Sequence, residues 1–118
     1  MEEDDSSINI PRGAMLNAWS ENDWENGVQI DKIEDLKTLA VRTHNSLYEV
    51  TIISGHSGEV LVRGGKFFAE FTPACLVGST LGGSIMKMRG IYVGMQMEIH
   101  ANGKRYVTSP VESIGMVV

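Results

Sequence analysis

The chain has 118 residues, of which 42% are hydrophobic and 21% charged, with a formal net charge of −5. That length supports one modest core and excludes a core plus a separate catalytic lobe. No apolar run approaches the ~20 residues of a membrane-spanning helix, the opening MEEDDSS lacks the basic-then-apolar order of a secretory leader, and the single cysteine, Cys75, excludes an internal disulfide framework, so a cytoplasmic home is expected with no membrane partner.

The charge is divided along the chain. Met1 to Leu36 carry ten acids against Arg12 and Lys32, a net −8, whereas Lys37 onward carries eight bases against five glutamates, a net +3. Residues 1–30 lack the apolar density that would offset the entropy of ordering them, and they read as a flexible acidic N-terminal arm preceding a single domain over 31–118. Trp19 and Trp24 stand out in that arm. Each can bury on the order of 200 Å², which implies docking onto the body of the chain or onto a protein partner.

Between arm and body, IDKIEDLKTLA places Asp31 three residues before Glu34 and spaces Ile33, Leu36 and Leu39 as on a helix, so a short helix or a turn is expected there. From Thr38 the pattern is strand and turn. TLAVRT and SLYEVTII flank the turn residues His44 and Asn45 and predict a hairpin; SGHSG is a loop; EVLVRG is a further strand ended by Gly64 and Gly65. KFFAEFT reads as one loose helical turn or a strand edge with its phenylalanines in the core, and Pro73 is expected to interrupt the chain before ACLVGS. In MQMEIHANGKRYVTSP the pair Asn102 and Gly103 suits a two-residue type I′ turn, which sets Ile99 opposite Tyr106 and Met97 opposite Thr108. Met95, Met97 and Ile99 then share a buried face, with Gln96, Glu98 and His100 on the other; VESIGMVV after Pro110 supplies a last strand. Seven or eight short strands without a long helix predict an all-β fold, a small antiparallel β-barrel or else a two-sheet sandwich.

The stretch LVGSTLGGSIMKMRG is rich in glycine, but it has no lysine after Gly83 and continues with period-two alternation where a phosphate-binding loop would enter a helix. Its glycines are therefore expected at turns or bulges. No nucleophile elbow is present, all five aspartates lie at or before Asp35, and His44, His56 and His100 are scattered without the spacing of a zinc site, so neither a catalytic constellation nor a metal or cofactor is implied. Cys75, in PACLV, reads as a small buried hydrophobe. The residues suited to ligand binding are Arg42, His44, Tyr48, Arg63, Lys66, Arg89, His100 and Arg105, a basic and aromatic set that would serve nucleic acid or another anion. Seven methionines are many for this length; Met86 and Met88, like Met95 and Met97, sit two apart on a strand face, expected in the core, or else a contact surface for homo-oligomers alongside an open sheet edge. The reading favours a non-enzymatic protein-binding or scaffold module over an anion binder and over a small enzyme built on His44 or His100 with a glutamate and Arg42.

THNSLYEV, VRGGKFF, GSTLGGS and VTSPVESI together are similar to a group of short bacterial proteins of unknown function that carry N-S-x-Y, G-G-x-F-F and V-T-S-P-V elements. The resemblance covers roughly Thr38 to Ile114. It implies a compact bacterial domain in which Asn45, Tyr48, Gly65, Phe67, Gly78, Gly83 and Pro110 belong to a shared framework, and it assigns no activity.

Overall fold

The computed structural model describes residues 26–117. Trp19 and Trp24, and most of the acidic arm, lie outside the described residues. The elements in chain order are β1 (Gly27–Gln29), a 3-10 turn (Ile30–Lys32), β2 (Thr38–Thr43), β3 (Leu47–Ser54), β4 (Glu59–Gly64), β5 (Phe68–Leu81), β6 (Ser84–Met88), β7 (Gly90–Tyr92), β8 (Gln96–Ala101) and β9 (Lys104–Val117).

The main sheet runs β4-β3-β2-β9-β8-β5-β6, and β4 also pairs with β5, so six strands close into an antiparallel ring with β6 attached outside it. The barrel follows from period-two alternation. Leu39 pairs with Val50, Val50 with Val62, and Met116 with Leu39, which brings inward-facing residues of four consecutive strands into one layer. Leu76, Ile99 and Tyr106 form a second row across β5, β8 and β9. Each fully buried aliphatic side chain contributes about 2 kcal/mol of transfer free energy.

Two strands are far longer than expected, because each is shared between neighbours. β5 pairs with β4 over its first half and with β8 and β6 over its second, while β9 pairs first with β8 and then with β2. Pro73 and Pro110 do not end these strands; they lie within them. Leu76 N–H donates to Gly58 O at 2.8 Å. That places Cys75, and two residues earlier Pro73, at the wide sites of the β4 ladder, where no N–H is required on that side. Pairing to β8 begins only at Cys75 with His100, so nothing requires a donor from Pro73 on the other side either. At Pro110 the β8 register slips by one residue, and Met97 N–H donates to Thr108 Oγ1 at 3.0 Å. This bulge displaces the expected Met97 and Thr108 pair while leaving Ile99 opposite Tyr106 as the turn dictates.

Of the short helix or turn expected over residues 30–40, the structure has the turn, a single 3-10 turn at Ile30–Lys32 that leads towards β2. Its reason lies in tertiary contacts: Leu36 adopts a positive φ of 72°, Asp35 Oδ1 accepts the Gly55 N–H at 3.1 Å, and Ile30 is fully buried against the barrel. Residues 26–30, assigned to the arm by composition, thus belong to the folded body. β1 pairs with β7 as a small two-stranded sheet, held to the barrel by Ser79, whose hydroxyl donates to Gly90 O and accepts from Tyr92 N–H. Of the three phenylalanines, only Phe68 is core; Phe67 and Phe71 are exposed, Phe67 against Tyr106 and Phe71 under the Arg63 guanidinium at 4.4 Å.

Candidate functional site

Gly78, Gly82 and Gly83 make a bend, not a phosphate cradle: no helix follows, and the chain returns directly as β6. Gly82 and Gly83 have φ of 59° and 90° and form the turn of the β5–β6 hairpin. Gly78 sits where β5 contacts both β6 and β8, pairing with Met88 on one side and Glu98 on the other. A Cβ there would run into the Lys87 carbonyl oxygen, so only glycine lets β6 approach.

Every residue of β6 is exposed. Met86 and Met88, expected in the core, are 53% and 62% exposed, whereas Met97 on β8 is fully buried; Leu81 and Ile85 add 54% and 39%. The physical reason is that β6 lies outside the closed ring, so neither of its faces meets the core. Its outer edge pairs with no further strand among the described residues; the Gln29 side chain donates to Met88 O at 3.0 Å and the Lys87 ammonium lies 5.6 Å from the centre of the Tyr92 ring. The result is a projecting apolar hairpin with a largely open edge.

The eight basic and aromatic residues do not converge. Tyr48 is a core residue; burial pushes its phenol pKa up, with a hydrogen bond to Ser46 opposing. Arg63 donates through Nε to Glu49 Oε1 at 2.8 Å and stacks on Phe71, and Lys66 stands exposed in the following turn. His44 Nδ1 lies 3.0 Å from Glu112 Oε2 on the surface; Arg42 is half-buried on β2. Arg89, with φ of 59°, donates through Nη1 to Leu76 O at 3.0 Å and lies 3.8 Å from Cys75 Sγ, so it fastens the β6–β7 connection to β5.

One group of charges is assembled. Glu98 Oε2 accepts from His100 Nε2 at 2.8 Å and from Arg105 Nε at 3.2 Å, with the carboxylate side chain only 8% exposed. The Arg105 hydrogen bond holds the Glu98 carboxyl below its usual range against the opposing effect of burial, and His100 adds to the depression. By register Glu59, Cys75, His100 and Arg105 form one row across β4, β5, β8 and β9 on the outer face. Cys75 is half-buried in that row and not, as its apolar neighbours imply, in the core. The missed residue is Glu98, read as an ordinary solvent-facing acid; the Asn102–Gly103 turn was the available signal, since it fixes Arg105 opposite His100 and so diagonal to Glu98. No helix among the described residues is long and apolar enough to cross a membrane.

These features define a small closed antiparallel barrel carrying an external apolar hairpin. Compared with protein-family models, with curated proteins and with solved structures, the chain matches none.

Proposed function

We propose that the protein is a non-enzymatic binding module that acts through protein contacts, and that the β5–β6 hairpin is its contact surface, joining copies of the chain into a homo-oligomer. The observation that carries this reading is the exposure of every residue of β6, with Ile85, Met86 and Met88 on it and Leu81 exposed at the end of β5. Methionine suits such a surface because its unbranched, polarisable side chain adapts to the face it meets. An open strand edge adds main-chain donors and acceptors that a second strand satisfies. The basic side chains support the alternative of polyanion binding less well, since Arg63 and Arg105 are occupied by glutamates and Arg89 by main-chain carbonyls.

Multi-angle light scattering over a hundredfold range of concentration tests the proposal. The apparent mass is expected to rise with concentration, and Met86→Lys with Met88→Lys is expected to return the monomer without loss of fold. A strict monomer at the highest concentration overturns it.

A further inference from the structure

At the end of the barrel where β1 and β7 pair, a pocket of about 380 Å³ opens beside the 3-10 turn. This falls within the ~300–1,000 Å³ of small-molecule sites. Its walls are Val28, Ile33, Tyr92 and Met116, of which Ile33 and Met116 also pack on the barrel core. Lys32 and Lys37 stand in the lining with Glu34. Glu34 pairs with Lys37 at 3.8 Å, whereas no acid among the described residues pairs with Lys32. The Gln29 amide nitrogen is engaged elsewhere, on Asp31 and Met88 O.

The pocket therefore offers an apolar wall and, in Lys32, a positive charge that no acid among the described residues pairs with. A phosphate-like anion is a poor match, because the described lining contains no arginine fork and includes the hydrocarbon side chains of Val28, Ile33 and Met116. A neutral hydrocarbon would fill the wall and leave the Lys32 charge unanswered. The chemistry that answers both is a flat or short apolar body bearing a single carboxylate. We propose that this pocket is a binding site for small amphipathic monocarboxylates, with Val28, Ile33, Tyr92 and Met116 holding the apolar body and Lys32 the carboxylate. The site is distinct from the β5–β6 hairpin and does not rest on the binding-module reading.

A titration of the isotope-labelled full chain with 2-naphthoate, followed by amide chemical shifts, tests it, with 2-naphthalenemethanol as the neutral probe of equal shape. Saturable shifts are expected at Val28, Ile33, Tyr92 and Met116. Lys32→Glu is expected to weaken 2-naphthoate about threefold, as suits a solvent-exposed charge pair, and to leave the alcohol unchanged. Lys32 is a surface residue outside the core, so this variant keeps the fold that Met116→Trp, the pocket-filling control, puts at greater risk. Equal affinity for acid and alcohol, shifts confined to residues 81–88, or no saturable shift overturns the proposal.

Discussion

Among the described residues two hairpins are built on two-residue turns with positive φ, Asn102–Gly103 between β8 and β9 and Gly82–Gly83 between β5 and β6. Both alternate in sequence with period two, and both carry methionine, Met97 on β8 and Met86 with Met88 on β6. Yet β8 buries Met97, Ile99 and Ala101 inside the ring, whereas β6 leaves every side chain in solvent. The difference lies in what stands on the far side of each strand. β8 is flanked by β9 and β5, while β6 has β5 alone. Alternation thus reports that a segment is extended; whether a face is buried depends on ring closure, which sets β6 aside.

The largest expected effect comes from the glycine that joins the two systems. Gly78→Ala forces a Cβ into the Lys87 carbonyl oxygen and is expected to destabilise the fold by roughly 3 kcal/mol or more, or to detach β6, as read from urea unfolding and from the amide shifts of residues 84–88. Next is a matched pair. Ile99→Ala, in the core, is expected to cost about 2–5 kcal/mol in the same unfolding measurement, and Ile85→Ala, on the outer hairpin, less than ~0.5 kcal/mol. Similar costs for the two would erase the contrast.

A smaller effect is tied to acid. Because the native Glu98 carboxyl is held below its usual range, the unfolded chain takes up that proton first as pH falls. The stability it contributes is present above the ordinary glutamate pKa of 4.5 and is lost as pH falls through the lower native value. Glu98→Gln is expected to flatten that part of the stability profile below pH 4.5, measured by urea midpoints at stepped pH. Also small is Arg63→Ala, which removes an exposed pairing with Glu49 and the stacking on Phe71 and is expected to cost less than ~1 kcal/mol.

The sequence made the strands legible wherever local chemistry decides them. Thr38–Thr43, Leu47–Ser54 and Glu59–Gly64 emerge from alternation bounded by turn residues, and the Asn102–Gly103 turn fixes the pairing of Ile99 with Tyr106. What local pattern could not carry is the passage of a strand from one neighbour to the next. Pro73 and Pro110 read as breaks because a missing N–H normally ends pairing, and only the changeover of partners leaves each proline where no donor is demanded. The choice between helix and turn over residues 30–40 was open for a related reason: the spacing of Ile33, Leu36 and Leu39 is helical, but burial of Ile30 against the barrel, with Leu36 turned outward, settles it as a turn. Of the candidate site, the acidic and basic partners of the Glu98 trio follow from one turn. The exposed hairpin does not, since Met86 and Met88 look no different from Met95 and Met97 until the ring is closed.

Ring closure also bears on how fast the chain reaches its native state. Every other pairing around the barrel joins strands that follow one another along the chain, or β5 with β8 across the short β6 and β7, and so can form progressively, but β2 with β9 brings Thr38 beside Val117, roughly eighty positions away along the chain. Such a seam collects its reward only after a long loop has been closed, which places this domain with the slower, millisecond-to-second folders and makes the β2–β9 seam the expected last step.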